Sequence, residues 1–275
     1  MSNESVFRFD FFGYNKDMLF LFGLLFLALI LFALVLFWHN QIIPRSFIRL
    51  VGRLDYPEHG QRILFLSPHP DDETISAAGY ISTALRRGTE VWIILATDGN
   101  KRGLARRRIR EFRKACSILG IPERHQIYWH YSDGSLRIGR SGNIQDNLEE
   151  IVQSIKPHII IAPHIQDTHR DHSVIGETAD TIARKYRLRL YQYLVHAHRF
   201  PHSSGKNKMD EYLLPPLNLA FHEDWRIFYL SPAALGMKEE ALRVYQSQLI
   251  NPIMRSILFE FLRHNELFSV IDYSK

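Results

Sequence analysis

From Gln61 onward, short apolar runs alternate with longer segments in which apolar residues recur at helical spacing. The runs typical of strands are 62–66, 90–96, 126–130, 157–164, 189–196 and 225–230. The segments typical of helices are 74–87, 104–119, 144–155, 173–186 and 235–249, and the amphipathic end 253–268 is expected to pack on the core. This alternation predicts an α/β domain with a Rossmann-like, mostly parallel sheet and helices on both faces.

The N-terminal region has a different composition. Residues 18–38 contain no charged side chain and consist mainly of Leu and Phe, which predicts one transmembrane helix before the α/β domain. A cleaved signal peptide is the alternative, but the preceding tail is long and acidic for such a segment, and no small-residue cleavage site follows. We therefore expect a retained anchor, with membrane lipid as the partner of residues 18–38.

The anchor divides the chain into four predicted parts. These are an N-terminal tail (1–17), a transmembrane helix (18–38), a juxtamembrane linker (39–60) and a catalytic domain (61–275). More arginines follow the span than basic residues precede it, so the positive-inside rule favours a cytoplasmic C-terminal domain. The expected localisation is therefore a single-pass membrane protein.

Charge and cysteine content limit the possible partners. The formal net charge is +5, which suits an anionic partner or a membrane surface without singling out nucleic acid, and no nucleic acid is expected. The single cysteine, Cys116, excludes an internal disulfide framework and a Cys-rich zinc site. Cys116 lies in an apolar helical context and is interpreted as a core residue.

The first cluster of polar residues follows the first predicted strand. The sequence Ser67-Pro-His-Pro-Asp-Asp-Glu73 occupies the turn into the next helix, where ligands commonly bind in open α/β sheets. One histidine and two adjacent carboxylates at such a turn can hold a cation and supply a base. Alternatively, the acidic residues only cap the helix and favour its positive end. The turn lacks the Gly-x-Gly-x-x-Gly pattern, so the alternation does not imply a dinucleotide.

A second cluster follows the predicted strand 157–164. It reads His164-Ile-Gln-Asp-Thr-His-Arg-Asp-His172, and parallel strands bring such turns together at one edge of a sheet. Two histidines and one carboxylate are a recurrent catalytic metal set. A spare aspartate can then accept a proton, a spare histidine can stabilise an oxyanion, and a neighbouring aspartate can orient that histidine. Together the clusters indicate metal-assisted hydrolysis of a carbonyl derivative.

The paired motifs resemble the PIG-L/LmbE-like N-acetylglucosaminyl deacetylases. The matching residues are Pro68-His-Pro-Asp-Asp-Glu73 and His169-x-Asp171-His172, in the same order as in that family. Supporting similarities are Thr97-Asp-Gly99, Arg108-x-x-Glu111, the strand end at Leu194-Val-His196 and the segment 238–248. The resemblance covers residues 61–250, and the motif 168–172 looks like the bacterial LmbE-like branch.

The resemblance implies a metal site and a base. His69, Asp72 and His172 would bind the metal, which would be Zn²⁺, with Fe²⁺ as the alternative because the same ligand set suits it. Asp71 would be the general base that activates water. The resemblance implies these roles because the three ligands and the base stand at positions that match the motifs of the family.

Four further residues receive roles from the same resemblance. His169 would stabilise the oxyanion or act as general acid, held by Asp171, so that both count among the catalytic residues. Arg108 is expected to contact a sugar or phosphate group of the substrate, since a guanidinium suits anionic acceptors. His196 is expected to line the substrate pocket.

The function implied is a zinc-dependent N-deacetylase. It would remove acetyl from an N-acetylated amino-sugar conjugate of the N-acetylglucosamine type, lipid-linked or nucleotide-linked. Two alternatives stay open: a metal-dependent phosphoesterase, and a membrane-tethered sugar- or metal-binding module without catalysis. Retention of all the chemical positions favours the enzyme over the binding module.

Overall fold

The computed structural model describes residues 16–37, 48–100, 103–137, 144–197, 200–201, 212–216 and 218–275. The chain divides into two compact units, Met1–Phe47 and Ile48–Lys275. Residues 1–15 of the predicted tail and residues 38–47, which include the start of the predicted linker, lie outside the described residues.

The first unit contributes one described helix, α1 (Lys16–Phe37). Among the described residues, no helix is both long enough and apolar enough to traverse a bilayer. The predicted single-pass membrane localisation is therefore wrong, and the predicted transmembrane helix at 18–38 and its lipid partner are not supported.

The second unit is built on a sheet that comprises eight strands within the described residues. The strands are β1 (Gly52–Arg53), β2 (Arg62–Ser67), β3 (Glu90–Thr97), β4 (Gln126–Tyr131), β5 (Ile159–Pro163), β6 (Arg189–Tyr193), β7 (Trp225–Tyr229) and β8 (Asn265–Asp272). Their order is β1-β7-β8-β6-β5-β2-β3-β4. The parallel pairs are β6–β5, β5–β2, β2–β3, β3–β4 and β1–β7. Strand β8 is antiparallel to both β6 and β7. The predicted α/β fold with a mostly parallel sheet is confirmed.

Helices cover both faces of this sheet. They are α2 (Asp72–Arg86), α3 (Ala105–Leu119), α4 (Ile144–Ile155), α5 (Arg170–Tyr186), α6 (Pro232–Arg243), α7 (Gln246–Leu249) and α8 (Pro252–Glu260). Apolar residues of α2, α3 and α6 form one core with one face of the sheet, and those of α4 and α5 form a second core with the other face. In α4 the buried residues Ile144, Leu148 and Val152 recur every fourth position, as an amphipathic helix requires.

The C-terminal region differs from the sequence prediction. The predicted helix 235–249 is interrupted between α6 and α7, and the amphipathic stretch 253–268 divides into α8 and the start of β8. Strand β8 lies between two other strands, and its residues from Asn265 to Ser269 are all buried. Burial on both faces removes the alternation of polar and apolar residues that identifies a strand in a sequence.

A buried ion pair joins β8 to α2 and α6. The Lys238 ammonium lies 2.9 Å from Glu266 Oε1, and both side chains are 0% exposed. The same carboxylate accepts hydrogen bonds from the backbone amides of Gly79 and Tyr80, at 2.8 and 2.7 Å. Glu266 therefore has a donor for each oxygen in addition to its cation.

Lys238→Met is expected to lower the free energy of unfolding by about 3–5 kcal/mol, because it leaves the Glu266 charge buried without its cation. Chemical denaturation measures this change. The matched control is Lys185→Met, which removes the partner of Glu149 from an exposed pair and should have a much smaller effect. Equal effects of the two substitutions would contradict the importance of the buried pair.

A glycine allows α5 to approach the end of β5. A Cβ atom at Gly176 would lie 2.5 Å from the Pro163 carbonyl oxygen, and backbone cannot give way as a flexible side chain can. The close approach holds α5 against the carboxyl end of β5. The second polar cluster lies between these two elements, so the packing at Gly176 helps to fix its position.

Candidate active site

The turn between β2 and α2 carries an unusual backbone conformation. Asp71 occupies the N-cap position of α2 with φ 116° and ψ −24°, a positive φ that costs a non-glycine residue roughly 1–3 kcal/mol. Its carboxylate makes no capping hydrogen bond to the helix and contacts Arg108 instead. The alternative in which the acidic residues serve only as a cap therefore does not describe Asp71.

Three ligand atoms from the two polar clusters converge. His172 Nε2 lies 3.2 Å from His69 Nδ1 and 3.2 Å from Asp72 Oδ2, and His69 Nδ1 lies 3.5 Å from Asp72 Oδ2. All three residues are buried. In a tetrahedral zinc site with ligand distances near 2.0–2.1 Å, neighbouring ligand atoms are separated by about 3.3 Å. The spacing of these atoms therefore fits a divalent metal ion.

The ring nitrogen of His69 and of His172 that points away from this cluster, the outer nitrogen, faces a carboxylate. His69 Nε2 lies 3.0 Å from Asp171 Oδ2, and His172 Nδ1 lies 3.2 Å from Asp167 Oδ2. Carboxylates in this position fix the tautomer and ring orientation of metal-binding histidines. They hold His69 and His172 with their inner nitrogens towards Asp72.

Both of these carboxylates are held by backbone amides. Asp171 accepts hydrogen bonds from the amides of Gly134 and Leu136, at 2.7 and 3.1 Å. Asp167 Oδ2 accepts from the amides of Val195 and His196, at 3.0 and 2.9 Å. Burial raises the pKa of both carboxyls, but a neighbouring histidine, His172 for Asp167 and His69 for Asp171, outweighs it with help from the amide donors, so each pKa lies below its usual value.

Other groups of possible ligands share these histidines. They are His69 with His169 and His172, Asp167 with His172 and His196, and His69 with Asp133 and Asp171. The last group surrounds His69 Nε2, and Asp167 contacts His172 Nδ1, so these carboxylates lie at the outer ring nitrogens. The set of His69, Asp72 and His172 uses both inner nitrogens and leaves the outer ones hydrogen-bonded, which is the arrangement that metal sites favour.

Arg108 holds Asp71 and the turn around it. Its Nη2 donates to the Pro70 carbonyl oxygen at 2.6 Å and to Asp71 Oδ2 at 3.0 Å, while Nη1 donates to the Gly99 carbonyl oxygen at 3.2 Å. The Arg108 side chain is buried. The structure thus places Arg108 behind the turn, in contact with the predicted base, whereas the sequence suggested a substrate contact.

Burial raises the pKa of Asp71 to about 6. The Arg108 charge acts in the opposite direction, and the neighbouring Asp72 carboxylate raises the pKa further. A general base works best when its pKa lies near the operating pH. The environment of Asp71 therefore suits proton transfer better than that of an exposed aspartate.

His169 and His196 complete a cluster of imidazoles. The His169 ring centroid lies 4.6 Å from that of His69 and 5.2 Å from that of His172, and His196 lies 4.9 Å from His172. Burial and the neighbouring histidines lower the pKa of His169 to about 4. Its Nδ1 is buried and has no hydrogen-bond partner among the described residues. His169 therefore offers a neutral imidazole to the site.

The contact of Asp171 differs from the expectation. The sequence suggested that it orients His169, whereas its side chain accepts from the Gly134 and Leu136 amides and faces His69. Asp167 Oδ1 accepts the His169 backbone amide at 2.9 Å, and Asp167 Oδ2 lies 3.2 Å from His172 Nδ1. The structure brings all the predicted residues to one site but pairs Asp171 with a different histidine.

Sequence reasoning missed Asp133 and Asp167. Asp133 lies 3.4 Å from His69 Nε2 and 3.8 Å from Arg108 Nη1, just beyond the carboxyl end of β4. The rule that polar residues at strand ends line the site would have found Asp133 had it been applied to β4. Asp167 lies within the second cluster, but nothing in the sequence distinguishes it as the partner of His172.

A family model matches this part of the chain. The description is "PIG-L: GlcNAc-PI de-N-acetylase", and the match covers residues 64–183, which include both polar clusters. Residues 64–183 match the PIG-L family. The PIG-L/LmbE-like resemblance predicted from the two motifs is supported by this match and by the curated relatives.

Two curated proteins that resemble this chain are named as deacetylases. A probable N-acetyl-alpha-D-glucosaminyl L-malate deacetylase 2 from Bacillus cereus is 27% identical over 129 residues, which are 42% of this chain and 58% of the relative. A diacetylchitobiose deacetylase from Thermococcus kodakarensis is 24% identical over 148 residues, 48% of this chain and 54% of the relative. The match thus spans a little over half the length of these two curated relatives.

A solved structure shows the same fold over a longer stretch. It is the N,N'-diacetylchitobiose deacetylase from Pyrococcus horikoshii in complex with its inhibitor MPG, with a TM-score of 0.57 and 20% sequence identity. The match covers 78% of this chain and 84% of that protein. The likeness in fold therefore extends beyond the segment that the family model covers.

Proposed function

We propose that this chain is a metal-dependent hydrolase that removes the acetyl group from an N-acetylated amino-sugar conjugate, with residues 61–275 as its catalytic domain. The observation that carries the proposal is the convergence of His69 Nδ1, Asp72 Oδ2 and His172 Nε2 at 3.2–3.5 Å. These atoms lie beside Asp71, a buried carboxylate that no cap bond occupies. The relatives, which are named as deacetylases of acetylated sugars, support the substrate class.

His69, Asp72 and His172 would hold the metal, zinc in the first instance and ferrous iron as the alternative. A divalent ion at this position supplies Lewis-acid chemistry to amide hydrolysis. The protein contributes the orientation of the ligands, because Asp171 fixes His69 and Asp167 fixes His172. Asp171 would therefore act through His69, in place of the role beside His169 expected from the sequence.

Asp71 would accept the proton from the water that attacks the acetyl carbonyl. Arg108 binds Asp71 Oδ2, so Oδ1 is the oxygen that has no hydrogen-bond donor among the described residues. The pKa of about 6 keeps the carboxylate ionised at neutral pH and still able to hold a proton transiently. Arg108 would thus fix the direction of the base, and substrate recognition would fall to other residues.

His169 would act on the carbonyl oxygen or the departing amine of the substrate. A neutral imidazole with an unpaired buried Nδ1 can donate a hydrogen bond to the developing oxyanion. To act as general acid on the departing amine it would first have to take up a proton during the reaction. His196 would line the pocket beside it, since its ring lies 5.3 Å from that of His169.

The test is release of free amine from a panel of N-acetylglucosamine conjugates. The panel contains a simple glycoside, a nucleotide conjugate, the malate conjugate and N,N'-diacetylchitobiose, each assayed with the purified full chain after loading with Zn²⁺ or Fe²⁺. We expect amine release from at least one member that depends on the metal and is abolished by chelation. Metal loading without amine release from any member would contradict the deacetylase proposal and favour a binding module or another hydrolase.

A further inference from the structure

A tyrosine from the C-terminal part of the chain reaches the active-site turn. Tyr245 lies between α6 and α7, beyond the segment that matches the PIG-L family model, and its hydroxyl donates a hydrogen bond to Glu73 Oε1. The Tyr245 ring and the Glu73 carboxylate are both buried. Neither side chain had a role in the proposed chemistry, although both lie next to it.

Glu73 joins this tyrosine to the backbone of Asp71. Its Oε1 accepts from Tyr245 and from the Thr74 hydroxyl, the latter at 2.6 Å. Its Oε2 accepts from the Asp71 backbone amide at 3.3 Å. One carboxylate therefore lies between the tyrosine on one side and the proposed base on the other.

The Asp71 backbone needs such a constraint. Its φ of 116° is uncommon for any residue other than glycine, and such conformations persist where surrounding contacts determine them. The backbone conformation sets the direction in which the carboxylate leaves the turn, towards Arg108 Nη2. If the amide of Asp71 lost its acceptor, the turn could relax and the carboxylate could turn away from the metal ligands.

The segment that carries Tyr245 also holds the helix that carries Arg108. The amide of Ser247 donates to Glu111 Oε1 at 2.9 Å, and the Ser247 hydroxyl donates to Glu111 Oε2. Glu111 is buried on α3, one turn beyond Arg108. Tyr245 and the start of α7 thus contact both groups that fix Asp71, namely the Glu73 carboxylate and the helix of Arg108.

We infer that Tyr245 and Glu73 are positioning residues for Asp71. The Tyr245 hydroxyl fixes the Glu73 carboxylate, and the Glu73 carboxylate holds the Asp71 backbone amide. The expected effect on catalysis rests on the proposed function, whereas the expected effect on the Asp71 backbone does not. Because these residues orient the Asp71 carboxylate, their loss should lower kcat and change metal binding and KM little.

Tyr245→Phe removes the hydroxyl alone and keeps the ring in the core. We expect kcat to fall about 10–100-fold, since small misplacement of a catalytic group has effects of this size. KM and bound metal should stay within about twofold of wild type. Amide hydrogen exchange at Asp71, followed by NMR, should become at least about tenfold faster, and this measurement needs no substrate.

The matched control is Tyr80→Phe, which removes a hydroxyl from another buried tyrosine, on α2. It should leave kcat and exchange at Asp71 unchanged. Glu73→Gln, which keeps the shape and one carbonyl oxygen, should retain more activity than Glu73→Ala.

Unchanged exchange at Asp71 in Tyr245→Phe would overturn the inference, whatever the activity. Faster exchange in that variant with unchanged kcat would overturn the kinetic part of the inference. A fall in kcat accompanied by an equal loss of metal would mean that the tyrosine supports the ligands and not the base. Faster exchange in a protein whose wild type releases no amine would uphold the structural link and contradict the proposed function instead.

Discussion

Asp71→Asn is expected to lower kcat by about 10²–10⁴-fold while the protein keeps its metal. Asparagine has nearly the shape of aspartate, and its side-chain oxygen can still accept the hydrogen bond from Arg108 Nη2. It cannot accept a proton, so only the function of the base is lost. Amine release under saturating substrate, together with metal analysis of the same preparation, measures the two quantities separately.

The control for this substitution is Asp224→Asn, which neutralises an exposed aspartate that pairs with Arg226 on β7. Its kcat should equal that of wild type. Near-full turnover by Asp71→Asn would exclude Asp71 as the base. Loss of metal from the same variant would instead indicate that the Asp71 charge, through its neighbour Asp72, contributes to metal binding.

The fold could be predicted where local periodicity carries the information. The strands β2, β3 and β5 are continuous apolar runs, and α4 repeats its buried residues every fourth position, so each is visible in a short window. Strand β8 was missed because it is buried between β6 and β7 and shows no alternation. It also carries the buried polar residues Asn265 and Glu266, whose partners come from distant segments.

The convergence of the proposed metal ligands could be predicted, but their supporting contacts could not. Parallel strands bring their carboxyl ends to one edge, which was sufficient to place His69 near His172. The partner of Asp171 depends on helix geometry, because successive residues of a helix point about 100° apart. Asp171 therefore turns to the amides of Gly134 and Leu136 and to His69, while His172 turns to Asp167 and Asp72.

Arg108 illustrates the same limit for a charged side chain. An arginine near a predicted sugar site suggests an anion contact, and the sequence cannot show that backbone carbonyls will occupy its donors. In the structure Arg108 binds the carbonyl oxygens of Pro70 and Gly99 as well as Asp71. A Cβ atom at Gly99 would lie 2.8 Å from Arg108 Nη1, so the glycine of the Thr97-Asp-Gly99 motif is part of this contact.

His172→Ala should remove metal and activity together. It deletes the nitrogen that lies 3.2 Å from both of the other ligand atoms, and two remaining ligands hold a divalent ion poorly. We expect metal affinity to fall by more than about 100-fold, the upper end of the effect of outer partners. Metal titration with a competing chelator measures this affinity without reference to the substrate.

A graded comparison makes the assignment of His172 specific. Asp167→Asn leaves the ligand in place but weakens the contact that orients it, so metal affinity should fall only about 10–100-fold. His125→Gln replaces a buried histidine that stacks on Trp92 and contacts the Val91 carbonyl, and its metal affinity should match wild type. Wild-type metal binding by His172→Ala would show that the metal does not bind at His69 Nδ1 and His172 Nε2. A larger loss in Asp167→Asn than in His172→Ala would make Asp167 a ligand, as in the alternative group of Asp167, His172 and His196.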